Sequence, residues 1–285
     1  MTGEFGETTA SFGTSGKHQQ NLERDFLRDA RLRLGVHFEV YPVTNIVRDA
    51  LHVTKDQDIG ILLPHEVAHW LWAFNPEKLN ELFPRERVVK FWKRAIEDKE
   101  PWFVRHPLCD EICHTAESGG DLYNFWPIQL FGDDGTLKKS RAMGSITWFP
   151  AVFSEATTLD SRIPVYVVPR HILVKDYTEN RLQEALCWSF EMWATGRFPH
   201  VNHLQRDWPS NSLRALFSSR GHKIAGGHIG VYVGSVCDQL WGAQHFRWSS
   251  IWSTVECCSR CFARNEPGPL NFTNPGPFPE RSRDD

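Results

Sequence analysis

Apolar residues recur at helical spacing from Asn21 onward. Phe26, Leu27, Ala30 and Leu34 share one face, and Gly35 stops the run. An extended piece is expected over 36–41, followed by helix-like sequence to about Asp98. Two starts stand out in it. Asn75 before Pro76 joins an N-cap side chain to a proline at the first helical position, and Pro84 opens a helix whose apolar face is Val88, Phe91, Trp92 and Ala95. The pattern therefore predicts a helical region over 21–117, behind a lead-in at 1–20 rich in Gly, Ser, Thr and Gln that is expected to be disordered.

The period changes after Ser118-Gly119-Gly120. Residues 125–131, 143–153 and 163–168 read as strands, and Gly132-Asp133-Asp134-Gly135 reads as the turn that ends the first of them. A helix is expected from Thr178 to about Thr195, closed by Gly196. A fourth strand is expected over 228–236 and a short helix over 239–246. Five prolines and two glycines from Glu266 onward predict a disordered tail over 264–285.

Composition narrows the class without naming a function. The 285 residues are 41% hydrophobic and 24% charged, ordinary values for a globular chain able to bury a core. The twelve tryptophans are expected to fill an aromatic-rich interior. A net charge of −3 lacks the basic footprint of a nucleic-acid binder. Lys138, Lys139 and Arg141 nevertheless form a local basic run, read either as a solvated turn or as a nucleic-acid contact. Seven clustered cysteines, with no apolar signal segment in the first twenty residues, point to a reducing intracellular setting. No stretch approaches the ~18 apolar residues of a membrane span.

Three strands, a helix and a fourth strand follow one another in the order of the RNase H fold, so an α/β (α+β) chain is expected, with an RNase H-like mixed sheet over 118–263. In that fold the first strand and its neighbour, the fourth, each present a carboxylate, and two Mg²⁺ ions between them drive phosphodiester chemistry. The wording of the segments carries the idea further. Phe125-Trp126-Pro127-Ile128-Gln129-Leu130-Phe131-Gly132-Asp133-Asp134-Gly135 with Lys138-Lys139-Ser140 resembles the first acidic block of CACTA (En/Spm) transposases. Residues 230–238, Trp248-Ser249-Ser250 and Cys258-Ser259-Arg260-Cys261 resemble the second. The first half also resembles multi-copy protein families of protist genomes, in which Leu62-Leu63-Pro64-His65-Glu66 opens a helical region.

The resemblance implies metal-dependent DNA cleavage and strand transfer, with Asp134 and Asp238 as catalytic ligands of Mg²⁺ or Mn²⁺, DNA as partner and the nucleus as location. Asp134 is preferred to Asp133 because the family aspartate directly precedes glycine, and neighbouring strand residues face opposite ways. The family's third acid, a glutamate beyond the Cys-x-x-Cys, has no fitting counterpart in Glu266 or Glu280. The chain as given is therefore expected to be truncated or inactive. A domesticated binding domain without chemistry is the bland alternative, with Asp134 in a β-turn and Asp238 as a helix cap.

His65-Glu66-Val67-Ala68-His69 supplies a rival of another class. On a helix the two histidines share a face and suit Zn²⁺, with Glu66 as general base of a metallopeptidase. Glu81, Glu86 or Glu97 would be the third ligand. The alternatives are a helix start with packed histidines, or metal binding without catalysis. Cys258 and Cys261 read as half a zinc knuckle, completed at a distance by Cys109, Cys113 and His114 or by a partner, or else as plain thiols. His200 and His203 read as surface residues, and Gly226-Gly227 as turn glycines.

Overall fold

A computed structural model describes residues 28–237, excepting 29, 33, 37, 38, 50, 51, 138–140, 153–160, 175 and 176; of 133–137, 141 and 142 it describes the backbone alone. The expected lead-in, the helix at 239–246 and the Pro-rich tail lie outside the described residues. Residues 28–131 and 135–235 belong to one compact unit, and 132–134 with 236–237 to a second.

The expected helical region is half right. Residues 28, 30–32 and 34 are helical, and Gly35 closes the run at φ +65°. The stretch that follows is a hairpin rather than helix. Strand β1 (Tyr41–Arg48) pairs antiparallel with β2 (Thr54–Ile61), from Tyr41↔Ile61 to Arg48↔Thr54. Tyr41, Val43, Asn45 and Val47 alternate inward along β1, a period of two. In β2 the first five residues are all exposed and polar, so no period marks the strand.

Helices then follow in close order: α1 (Pro64–Phe74), α2 (Pro76–Leu82), α3 (Arg85–Glu97), the single turn α4 (Pro101–Val104) and α5 (Cys109–Glu117). Asn75 caps α2 as expected, its side-chain oxygen accepting from the Lys78 amide at 3.1 Å. Val88, Trp92 and Ala95 form the buried face of α3, and the Trp92 indole donates to the Phe125 carbonyl at 2.7 Å. That bond ties the helices to the sheet.

The larger sheet is mixed and has the order β5-β4-β3-β6, built from β3 (Phe125–Leu137), β4 (Arg141–Pro150), β5 (Ile163–Pro169) and β6 (Ile229–Cys237). β4 runs antiparallel to β5, with a slip in register between Ile146 and Thr147. Gly132-Asp133-Asp134-Gly135, expected as a turn, lies inside the thirteen-residue β3. The glycines and aspartates look like turn signals locally, yet their backbone continues the strand, a tertiary override of local preference.

Between β5 and β6 runs α6 (Thr178–Thr195), closed by Gly196 at φ +66° in the left-handed cap. A shorter helix, α7 (Leu213–Ser219), and a 3-10 turn at Ile224–Gly227 complete the connection. Trp92, Trp126, Trp148 and Trp193 are fully buried, so the tryptophan-rich interior is real. Trp126 lies between the Phe83 and His228 rings, at 4.9 and 4.4 Å, and Trp193 of α6 meets Trp148 edge-on at 5.2 Å.

One close approach locks α6 to β6. A Cβ on Gly230 would fall 2.3 Å from the Trp193 ring, which has no exposed side to move toward. Gly230→Ala is therefore expected to cost about 1–3 kcal/mol, an overpacking penalty, read as a lower urea midpoint at unchanged m-value. A midpoint equal to that of the unaltered protein would show that the contact yields freely.

Candidate functional site

The zinc-type motif occupies the start of α1, with Pro64 at its first turn and Pro64, His65, Glu66, Val67, Ala68 and His69 all buried. This segment has no solvent face. It is covered by β1, by α6 and by the 198–228 segment, which brings residues far apart in sequence onto it.

The His65 amide donates to Ser189 Oγ at 3.4 Å, and Ser189 Oγ lies 2.7 Å from His65 Nδ1. His69 Nδ1 accepts the Ala225 amide at 3.1 Å, so this imidazole carries its proton on Nε2, while His65 Nδ1 and the Ser189 hydroxyl share one hydrogen bond. Burial pushes the His65 pKa down to about 3 and the His69 pKa down to about 4, with Arg214 adding to the first and His222 to the second.

Glu66 is bound through both carboxylate oxygens. Arg214 of α7 donates from Nε to Oε1 at 2.5 Å and from Nη2 to Oε2 at 2.8 Å, a bidentate pair. Burial raises the Glu66 pKa, with the two guanidinium bonds pulling the other way. The same guanidinium sits 5.3 Å from the Tyr41 ring centre and 5.5 Å from that of Trp208, and its Nη1 is 3.7 Å from Glu39. The Tyr41 hydroxyl and His203 Nδ1 share a hydrogen bond at 2.6 Å, and His200 Nδ1 lies 2.8 Å from Ser218 Oγ. His200 is exposed, as expected, and His203 is half-buried; their bonds nevertheless tie the 198–218 loops down.

These bonds argue for packing rather than zinc hydrolysis. A metal-ligating His offers a lone pair at the metal and a proton to its second partner; in His69 the Nδ1 lone pair is taken by the Ala225 amide. Glu66 has no free oxygen for a water molecule, and Glu81, Glu86 and Glu97 do not join the two histidines. Among the described residues no group of three His, Cys, Asp or Glu is placed to hold a metal ion. The five-residue motif staples four elements together instead.

Arg214, Ser189 and Ala225 are the residues that periodicity missed. One signal did point to the first of them: a carboxylate entering a helix among Leu62, Leu63, Val67 and Ala68 requires a cation when buried. Nothing along the chain singles out Arg214 from the other basic residues.

The acidic pair is described less completely. Asp134 stands within β3, and β6, its neighbour in the sheet, ends at Cys237, one residue before Asp238. Asp238, Lys138, Lys139, Cys258 and Cys261 lie outside the described residues, and Arg141 opens β4. Cys109, Cys113 and Cys187 are free thiols. No described helix is long and apolar enough to cross a membrane. No family model, curated protein or solved structure matches the chain.

Proposed function

We propose that this chain is a transposase-like protein whose sheet descends from an RNase H-type DNA-cleaving core, with Asp134 and Asp238 as its metal-binding carboxylates. One observation carries the reading: the strand order β5-β4-β3-β6 with α6 between β5 and β6. The first strand of the series is flanked by the second and the fourth, as in an RNase H sheet. Any order that separated β3 from β6 would have removed the idea.

A hard divalent ion takes oxygen ligands from neighbouring strands, which lie about 4.7–4.9 Å apart, and Asp134 and Asp238 would supply two of those ligands. Mg²⁺ or Mn²⁺ held there would polarise a phosphodiester and stabilise the departing oxygen. Asp134 and Asp238 would orient the ion, and Lys138, Lys139 and Arg141 would offset the phosphate charge beside it. Two carboxylates are fewer oxygen ligands than two such ions take, so turnover is expected to be slow.

Nicking of supercoiled plasmid by the full chain, with Mg²⁺, Mn²⁺ or EDTA, tests the reading. With the third acid missing, any metal-dependent nicking is expected to be weak, abolished by Asp134→Asn or Asp238→Asn and retained by Asp133→Asn. Its survival in both asparagine variants overturns the proposal, and its absence in the unaltered protein leaves the fold without the chemistry.

A further inference from the structure

We infer a second surface on this protein, a single-stranded nucleic-acid binding ridge formed by the outer side of 217–227 and the exposed rings of α1. It shares a class of partner with the proposed nuclease but requires neither Asp134, Asp238 nor a metal ion.

Charge marks the ridge first. Residues 196–237 contain Arg197, Arg206, Arg214, Arg220 and Lys223 against a single acid, Asp207, in a chain whose net charge is −3. Arg214 is neutralised inside by Glu66. Arg197, Arg220, His222 and Lys223 are exposed, and no carboxylate pairs with Arg197, Arg220 or Lys223 among the described residues. A local positive field in an acidic chain is the electrostatic half of a phosphate-binding surface.

Aromatic rings supply the other half. His69 is the residue of α1 that the ridge covers, through Ala225, Phe198 and Phe217. At 100° per residue, Trp72 and the pair Trp70 and Phe74 emerge on opposite flanks of His69. Trp72 is 41% exposed and rests on Gly226, whose missing side chain leaves room for it: a Cβ there would fall 2.7 Å from the ring. Phe74 is 66% exposed and stacks on Trp70 at 5.1 Å and 25°. Trp70 leads by ring contact to Phe217 and then to His222, at 6.1 and 5.3 Å.

Such rings on a helix end are costly to leave in water, and a merely solvated face does not need them. Flat rings flanking unpaired cations match the pattern by which proteins hold single strands: backbone phosphates along the charges, bases stacked on the aromatics, little sequence preference. A duplex keeps its bases stacked on one another and cannot use the rings.

Fluorescence anisotropy of the full chain with a labelled oligothymidylate of about 15 nucleotides, at low salt and in EDTA, tests the inference. Binding is expected, tighter than to a duplex of equal length. Phe74→Ala and Trp72→Ala should each weaken it roughly tenfold, the usual scale of one lost base stack, and Trp72→Phe should restore most of the second loss. Arg220→Ala with Lys223→Ala should reduce the slope of log affinity against log salt by about 1.4, two phosphate contacts on a single strand. Phe74, Arg220 and Lys223 are exposed, so unchanged thermal unfolding is expected in those variants. Failure of the unaltered protein to bind, tighter binding of the duplex, or unchanged affinity in both Phe74→Ala and the double variant overturns the ridge. Oligothymidylate binding without any plasmid nicking would leave the ridge standing and remove the nuclease; nicking without binding would do the reverse.

Discussion

Arg214→Ala unfolds about 3–5 kcal/mol more easily than the unaltered protein, the penalty for leaving a buried carboxylate without its partner. The side chains of Arg214 and Glu66 are only 13% and 7% exposed, so water cannot replace the two lost bonds. The guanidinium also fills the space between Tyr41 and Trp208, and its removal opens that gap. Chemical denaturation followed by tryptophan fluorescence measures the loss. Glu66→Leu combined with Arg214→Met should recover most of it, because an apolar pair of similar volume leaves no orphaned charge. A loss below about 1 kcal/mol would place the pair with ordinary surface bridges and refute its role as a staple.

Acidification is expected to cost a comparable amount. His65 and His69 have native pKa values of about 3 and about 4, against an ordinary value near 6.5. The unfolded chain therefore binds more protons than the native one below pH 6.5, and stability falls as pH drops toward the native values. Each histidine contributes up to about 1.4 kcal/mol per pH unit, so the pair loses about 4 kcal/mol between pH 8 and pH 5. The cause is local: a proton added to His69 Nδ1 would face the Ala225 amide, and one on His65 would face Ser189 with Arg214 nearby. Glu66, whose pKa burial raises, works in the opposite sense, so the histidine share is isolated by difference. His69→Asn keeps an acceptor for the Ala225 amide and removes the titration. Urea midpoints at pH 8 and pH 5 should show a loss smaller by about 2 kcal/mol in that variant, with His106, His203 and His228, also lowered by burial, unchanged in both proteins; an equal loss would assign the effect elsewhere.

Local chemistry was readable where one residue type has one strong use. Asn75-Pro76 announced a helix start, Gly196 a helix end, and Val88, Trp92 and Ala95 a buried helical face. Strands β4, β5 and β6 followed from their apolar runs to within a few residues. The hairpin was hidden because β2 buries nothing in its first five positions, so no period exists to be read. Gly132 to Gly135 misled for the opposite reason: strong turn residues stand in extended backbone within β3. His65-Glu66-Val67-Ala68-His69 shows the limit most clearly. The spacing that suits a metal also suits two packed histidines, and the partners that decide between them, Ser189, Arg214 and Ala225, lie more than a hundred residues away.

β2 has β1 as its sole partner within its sheet. Its end is tied to β5 by the Leu62 amide on the Val165 carbonyl at 2.8 Å, but its residues 54–58 have no second strand partner among the described residues. An edge of that kind can template another copy of the chain unless something discourages it. Lys55, Asp56 and Asp58 stand exposed along this strand, and Asp58 is held by the Thr44 hydroxyl at 2.8 Å. A second hairpin docking in either direction would bring like charges or unpaired ones into a dehydrating seam. The polarity that kept β2 from announcing itself as a strand is thus a guard on colloidal behaviour, keeping two molecules from zipping together through this edge.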